Sequence, residues 1–128
     1  MLVTVRWRIA SEDSDLLRYR RVLYAYFAVD DKEILYIGKA DRQTVRQRRT
    51  RSAKRRFWDD LEDKRNIRKT IVRVGEIGLE EGRKLSRELL LDVESLLIKR
   101  LRPWGNIRGA RPEFRGRDSA SGVKATGP

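Results

Sequence analysis

The sequence predicts an α+β domain in which a small three-stranded antiparallel sheet is flanked by helices, and three observations support this. Residues 22–38 form two apolar, tyrosine-bearing segments on either side of a short polar turn, which is typical of a β-hairpin. Residues 67–77 place further apolar, β-branched side chains between lysines and arginines. Residues 80–101 repeat leucine or valine at every fourth position, which indicates an amphipathic helix. A chain of 128 residues provides for one hydrophobic core.

The strands can be placed in chain order. Residues 1–10 alternate apolar and polar side chains and form a candidate extra strand at the N-terminus, followed at residues 11–15 by a turn or a short helical cap. Residues 22–29 and 34–38 form the hairpin, because the aspartates of the turn at residues 30–32 tolerate tight backbone conformations. Residues 67–77 form the third core strand, which we expect to end in a turn between Gly75 and Gly78.

Two helices are expected. Thr44 is a suitable N-cap for a helix that starts at Val45 and continues toward Leu61. The second helix, at residues 80–101, ends before Pro103, and Trp104-Gly105-Asn106 then forms a turn. Its buried stripe should consist of Leu85, Leu89, Val93, Leu97 and Leu101, and its polar face of Glu88, Asp92, Ser95 and Lys99.

One domain is expected at residues 22–107, after an N-terminal extension at residues 1–21. Residues 108–128 are rich in glycine, serine and arginine, which predicts a basic tail without stable structure. No apolar run approaches the roughly 20 residues that span a bilayer, and the N-terminus lacks the layout of a secretory signal. We therefore expect a soluble cytoplasmic protein.

Charge and composition restrict the function. Lysine and arginine total 31 against 19 acidic residues, and a net charge of +12 favours a polyanionic partner such as DNA, with RNA not excluded. The absence of cysteine and histidine excludes thiol nucleophiles, zinc fingers and imidazole bases. A bound metal would need oxygen ligands, which favours Mg²⁺ or Mn²⁺ over zinc.

The basic run at residues 42–56 contains no acidic residue. Like charges along one helix are destabilising, so contact with phosphates is the favoured explanation for this run. Phosphate contacts carry no base specificity, which leaves the substrate structure open. The expected nucleic-acid-binding residues are Arg42, Arg46, Arg49, Arg51, Lys54, Arg55 and Arg56.

Glu94 falls in the apolar row of the second helix, near Leu90 and Ile98. A carboxylate in such a row needs a positive charge beside it, because burial disfavours its ionised form. Two interpretations stay open, namely a bound metal ion or a structural ion pair, for instance with Arg87.

These pieces in this order resemble the GIY-YIG nuclease superfamily over residues 22–106. Tyr36-Ile37-Gly38 matches the second half of that name letter for letter. The first half corresponds to Tyr24-Ala25-Tyr26 or to Val22-Leu23-Tyr24, neither of which has the glycine. The separation of ten residues between Tyr26 and Tyr36 favours Tyr26 over Tyr24 as the first-motif tyrosine.

The other motif positions follow in the same order. Lys39 comes directly after the glycine, and Arg48 lies three residues after an apolar position, although strict counting from the second tyrosine gives Arg46. Ser52 stands where many members have a histidine. Glu94 and Asn106 match the glutamate and the asparagine of the closing part.

The resemblance implies a divalent-metal-dependent endonuclease of repair, restriction or mobile-element type, which hydrolyses phosphodiester bonds in DNA. Glu94 would bind Mg²⁺ or Mn²⁺, and Arg48 would neutralise charge in the transition state. Tyr36 or Tyr26 would activate water, with a pKa lowered by Lys39 and Arg48. Tyr24, Arg46 and Asn106 are further candidates, of which Tyr24 is expected to be an ordinary strand aromatic and Asn106 to orient the glutamate or the turn.

Two alternatives belong to other classes. The first is a catalytically silent nucleic-acid-binding module with the same fold. The second is a different nuclease built on Glu62-Asp63-Lys64. The oligomeric state stays open.

Overall fold

Four strands form one antiparallel sheet in the order β1-β4-β2-β3. A computed structural model describes residues 2–11, 14–30, 32–50, 54–80 and 83–107. Their helices and strands are β1 (Val3–Ala10), a 3₁₀ turn (Asp15–Arg18), β2 (Val22–Ala28), β3 (Ile34–Ala40), α1 (Val45–Thr50), α2 (Arg55–Arg65), β4 (Thr70–Leu79), α3 (Arg87–Leu101) and α4 (Trp104–Ile107). This confirms the α+β class, and the extra N-terminal strand is present because β1 pairs with β4 over its whole length. No described helix has the length and apolar character needed to cross a membrane.

Strand β2 is the central element of the predicted hairpin. All seven of its residues are buried between β3 and β4, which explains why its sequence is apolar throughout and does not alternate. The turn is tight, because the Ala28 N–H donates to the Glu33 carbonyl and the Lys32 N–H donates to the Ala28 carbonyl. Lys32 adopts a φ of 57°. Asp31, part of the predicted turn, lies outside the described residues.

The predicted turn between Gly75 and Gly78 is wrong, because β4 continues through both glycines to Leu79. Gly75 pairs with Trp7 of β1. A Cβ at Gly75 would lie 2.8 Å from Val5 Cγ1 and 2.9 Å from a carbon of the Trp7 ring. The glycine therefore makes room for the side chains of the neighbouring strand.

Helix α3 begins at Arg87, seven residues later than predicted, because Ser86 is its N-cap and accepts a hydrogen bond from the Leu89 N–H at 3.0 Å. The predicted stripe also drifts out of the core, since residues four apart differ by 40° around a helix. Leu101, at its end, is 39% exposed. Ser95 is buried, contrary to the prediction, because three consecutive buried residues from Val93 cover about 200° of the circumference.

The single helix predicted from Val45 toward Leu61 corresponds to two described helices, α1 and α2. Residues 51–53, which include Arg51 and Ser52, lie outside the described residues, as does the predicted tail at 108–128. The Thr44 cap is confirmed, since the Gln47 N–H donates to Thr44 Oγ1 at 3.2 Å and the Thr44 N–H donates to Gln47 Oε1 at 2.9 Å. The turn predicted after Pro103 is the short helix α4.

The two faces of the sheet have different cores, because successive residues of a strand point to opposite sides. The face that we call the α3 face is formed by Leu23, Ala25, Phe27 and Ile37, which pack with Leu90, Val93, Leu97 and Ile98 of α3. The other, the tyrosine face, is formed by Tyr24, Tyr26 and Tyr36 with Val45 of α1 and with Phe57 and Leu61 of α2.

Candidate active site

Three tyrosines, Tyr24 and Tyr26 of β2 and Tyr36 of β3, form a cluster on the tyrosine face. Their ring centroids lie 5.6 Å (Tyr24 to Tyr26), 6.1 Å (Tyr24 to Tyr36) and 6.0 Å (Tyr26 to Tyr36) apart. The two β2 tyrosines share a side because they are two residues apart, and Tyr36 joins them because it pairs with Tyr26 across the strands. The structure thus brings together all three tyrosines singled out in the sequence.

Gly38 determines where the Tyr24 ring lies. The two residues pair across β2 and β3. A Cβ at Gly38 would lie 2.6 Å from both Cζ and the hydroxyl of Tyr24, and 2.8 Å from Cε1 of Tyr36. The glycine of Tyr-Ile-Gly therefore leaves the space through which Tyr24 reaches across the edge strand β3.

The charges near Tyr24 and Tyr26 differ. The field of Glu94 acts on the pKa of Tyr24 and of Tyr36, whereas the cations acting on Tyr26 are Arg49 and Arg48. Tyr26 also packs in an aromatic group, with its ring centroid 4.8 Å from that of Trp58 and 5.9 Å from that of Phe57. The spacing of ten residues favoured Tyr26, but the charge of Glu94 acts on the pKa of Tyr24.

Arg48 of α1 is half-buried and faces this cluster. Its charge acts on the pKa of all three tyrosines and on those of Glu94 and Lys54. Among the described residues, its buried Nε has no hydrogen-bond partner. Arg46, the alternative by strict counting, is exposed.

Lys54 was predicted to contact phosphates from the surface, but only 7% of it is exposed. Its Nζ lies 3.3 Å from the ring centroid of Tyr36 and 5.6 Å from that of Tyr24. The reason is helical spacing, because Lys54 shares one side of α2 with the buried Phe57 and Leu61. Burial lowers the pKa of Lys54 to about 7; Arg48 acts in the same direction and Glu94 opposes it.

Glu94 of α3 is buried, as its place in an apolar row predicted, with 7% exposed. Burial raises the pKa of its carboxyl to about 7, against the opposing charges of Lys39, Lys54 and Arg48 and a hydrogen bond from the Lys39 main chain. The suggested ion pair with Arg87 is wrong. The Arg87 Nε instead lies 3.1 Å from Oδ2 of Asp41, whose Oδ1 lies 3.3 Å from Nε of Arg21.

The expectation of a lowered tyrosine pKa is wrong. Burial raises the pKa of each tyrosine in the cluster above its ordinary value and outweighs the nearby arginines. Lys39, which was expected to assist, is half-buried on β3 beside Glu94. The Tyr24 hydroxyl lies against Arg48 and Tyr36, but within the described parts of the chain neither it nor the Tyr26 hydroxyl makes a hydrogen bond of normal geometry. The phenols are therefore neutral at physiological pH.

Asn106 bonds to the edge strand of the sheet. The sequence predicts instead that it orients the glutamate or the turn. The Ile37 N–H donates to Asn106 Oδ1 and Asn106 Nδ2 donates to the Ile37 carbonyl, both at 2.8 Å. These two bonds replace a neighbouring strand beside β3. Gly105 permits this approach, since a Cβ there would lie 2.4 Å from Phe57 Cε1 and 2.6 Å from the Leu35 carbonyl oxygen.

The other predicted phosphate contacts differ in how far they are exposed. Arg42, Arg46, Arg55 and Arg56 are exposed. Arg49 is half-buried, with Cζ 5.8 Å from the Tyr26 ring centroid. The alternative motif Glu62-Asp63-Lys64 is exposed on α2, where Glu62 pairs with Arg68 at 3.3 Å.

Two contributors were not recognised from the sequence. The burial of Lys54 could have been inferred from its spacing of three and seven residues to Phe57 and Leu61. The ion pairs of Asp41 with Arg21 and Arg87 could not be predicted from the sequence, because both arginines are distant from Asp41 along the chain.

Comparisons of this chain with protein-family models, with curated proteins and with solved structures found no match. The function is therefore inferred from the arrangement of these side chains.

Proposed function

We propose that this protein is a metal-dependent endonuclease that hydrolyses phosphodiester bonds in DNA with a GIY-YIG-type site. The observation that carries the proposal is a buried carboxylate, Glu94, whose charge acts on the pKa of Tyr24 and of Tyr36 and on which the charge of Arg48 acts in turn. Buried ionisable groups with strongly perturbed pKa values are typical of active sites.

The residues match the requirements of phosphodiester hydrolysis. The guanidinium of Arg48 would bind a non-bridging oxygen, where negative charge increases in the transition state. The neutral tyrosine hydroxyls would donate hydrogen bonds to the phosphate or hold the attacking water. Because their pKa values are raised, a tyrosinate base is not part of this proposal.

Glu94 is the proposed ligand of Mg²⁺ or Mn²⁺. The described residues contain no group of three or more acidic side chains that could hold an ion. Magnesium nevertheless often binds one or two carboxylates and completes its shell with water and substrate phosphates, so a single buried glutamate fits. When bound, the ion would supply Lewis acidity toward the phosphate and the leaving oxygen.

The proposed nucleic-acid contacts are the exposed arginines of α1, of α2 and of the loop before α1. Arg42, Arg46, Arg55 and Arg56 are exposed on these segments. They would position the backbone of the substrate without reading its sequence, and binding should weaken steeply with salt.

The test compares wild type with Glu94→Gln on labelled linear, branched and single-stranded DNA and on RNA, with magnesium or manganese. We expect metal-dependent cleavage of DNA that falls about 100-fold or more in Glu94→Gln, while Kd stays within about twofold. Glu88→Gln, on an exposed position of α3, is the matched control and should cleave like wild type. Cleavage by Glu94→Gln at the wild-type rate would contradict the proposal.

A silent binding module is the second candidate, and the raised pKa of the three tyrosines favours it, because no phenol is poised to take a proton. It requires salt-sensitive binding without cleavage under any metal. The Glu62-Asp63-Lys64 nuclease requires in addition that Lys64→Ala abolish cleavage and that Arg48→Ala leave it intact.

A further inference from the structure

Lys54 differs from the other cations of the basic run in its surroundings. Arg55 and Arg56, its neighbours, are exposed, whereas 7% of Lys54 is exposed. Its ammonium lies 3.3 Å from the ring centroid of Tyr36, inside the candidate active site. A surface contact to DNA does not account for a side chain that points away from the surface.

The contacts of Lys54 within the described residues are the faces of two aromatic rings, without an ion pair. By contrast, the partly buried Arg65 pairs with Glu33 at 2.6 Å, and Asp41 pairs with Arg87 at 3.1 Å. Burying an ammonium without a direct ion pair is unfavourable, and an apolar side chain would pack more favourably at this position. The arrangement is explained if an anion binds there during function.

The local charge balance points to the same kind of anion. Three cations, Lys39, Lys54 and Arg48, act on the single carboxylate of Glu94. The excess of positive charge suits a phosphate group. Lys54 also lies at the N-terminus of the eleven-residue helix α2, where its side chain makes no capping hydrogen bond and the helix dipole is positive.

We propose that Lys54 is a catalytic residue of the hydrolysis proposed above, and that its ammonium leaves the face of Tyr36 to bind a non-bridging oxygen of the scissile phosphate beside Arg48. The inference rests on the proposed nuclease function. It separates Lys54 from the exposed arginines, which bind the backbone away from the reacting phosphate. An approaching phosphate also favours the charged amine, which burial alone disfavours.

The experiment measures single-turnover cleavage and, separately, DNA affinity at several salt concentrations, for wild type, Lys54→Met and Lys69→Met. Methionine keeps the length of the side chain and removes its charge. We expect Lys54→Met to slow cleavage about 100-fold, with Kd within about threefold and an unchanged salt slope. Lys69, exposed and outside the site, is the matched control and should behave like wild type.

Arg56→Met provides the contrasting pattern. It should raise Kd and reduce the salt slope by about one, as expected when one backbone phosphate contact is lost. If Lys54→Met likewise raises Kd and reduces the salt slope while the cleavage rate at saturating DNA stays unchanged, Lys54 contacts the DNA backbone and the proposal is wrong.

The remaining outcomes separate the two proposals. Wild-type protein that cleaves nothing contradicts the nuclease function, whereas cleavage by Lys54→Met at the wild-type rate contradicts only the role of Lys54. Circular dichroism and Tm establish that each variant folds. If Lys54→Met does not fold, Lys54→Arg and Lys54→Gln decide, because the proposal requires that arginine retain more activity than glutamine.

Discussion

The two faces of the sheet are built from the same strands but differ in chemistry. On the α3 face, β2 contributes Leu23, Ala25 and Phe27, which pack against an apolar helix. On the tyrosine face, the same strand contributes two tyrosines whose buried hydroxyls lack normal hydrogen bonds within the described chain, close to a buried lysine. One face is suited to stability, while the other retains polar groups that an apolar core would exclude.

Glu94 links the two faces electrostatically. It belongs to α3, yet its carboxyl acts on the pKa of Tyr24, Tyr36 and Lys54. Loss of stability and loss of activity should therefore be separable by the face on which a substitution lies. The four predictions below test this separation.

The largest loss of stability is expected on the α3 face. Leu97 is 1% exposed there, and Leu97→Ala should lower the free energy of unfolding by about 2–5 kcal/mol, because it removes packed methyl groups and leaves a cavity. Urea denaturation measures the change. Arg100→Ala, exposed on the same helix, should cost less than about 1 kcal/mol; equal losses would show that α3 is not held by this core.

On the tyrosine face, Gly38→Ala should destabilise by about 1–3 kcal/mol and impair any cleavage, because the new methyl group overlaps the Tyr24 ring. Unfolding and cleavage should be measured together. Gly78→Ala is the control, since its Cβ would meet the hydroxyl of the exposed Thr4 at 2.8 Å, and that group can rotate away. A Gly38→Ala protein as stable as wild type would show that Tyr24 does not occupy this space.

The pH dependence of stability should reveal Glu94. Its pKa is about 7 in the folded protein and near 4.5 ordinarily, so between these values the folded state holds a proton that the unfolded state has released. Its contribution to stability is therefore full below about pH 4.5 and is lost as the pH rises through 7. As the pH rises through this window, the free energy of unfolding of Glu94→Gln should increase relative to that of wild type, by at most about 1.4 kcal/mol per pH unit.

Urea denaturation in metal-free buffer between pH 4.5 and 8 tests this expectation. A difference between wild type and Glu94→Gln that stays constant with pH would show that the carboxyl titrates as it does in solvent. Glu88→Gln, at an exposed site of the same helix, is the matched control.

The smallest effect is expected for Tyr26→Phe. It removes a buried hydroxyl that makes no hydrogen bond of normal geometry within the described residues, so stability should change by less than about 1 kcal/mol. Thermal unfolding measures it. A loss well above 1 kcal/mol would reveal a partner for the hydroxyl and would make the two faces more alike.

Short-range spacing in the sequence determined much of the fold. The alternation of residues 1–10, the hairpin, the Thr44 cap and the burial of Glu94 could all be predicted. Each depends on side-chain directions that repeat every 2 residues in a strand or every 3.6 in a helix. The same period of 2 places Tyr24 and Tyr26 on one side of β2.

Only the tertiary structure decided the features that depend on distant partners. Gly75 permits a strand because Trp7 lies beside it, Asn106 bonds to Ile37 of the edge strand, and Gly38 makes room for Tyr24. The ionisation of the site belongs here too, because desolvation depends on every element packed around a group. The sequence places cations near the tyrosines and predicts a lowered pKa; enclosure by α1, α2 and the sheet raises it.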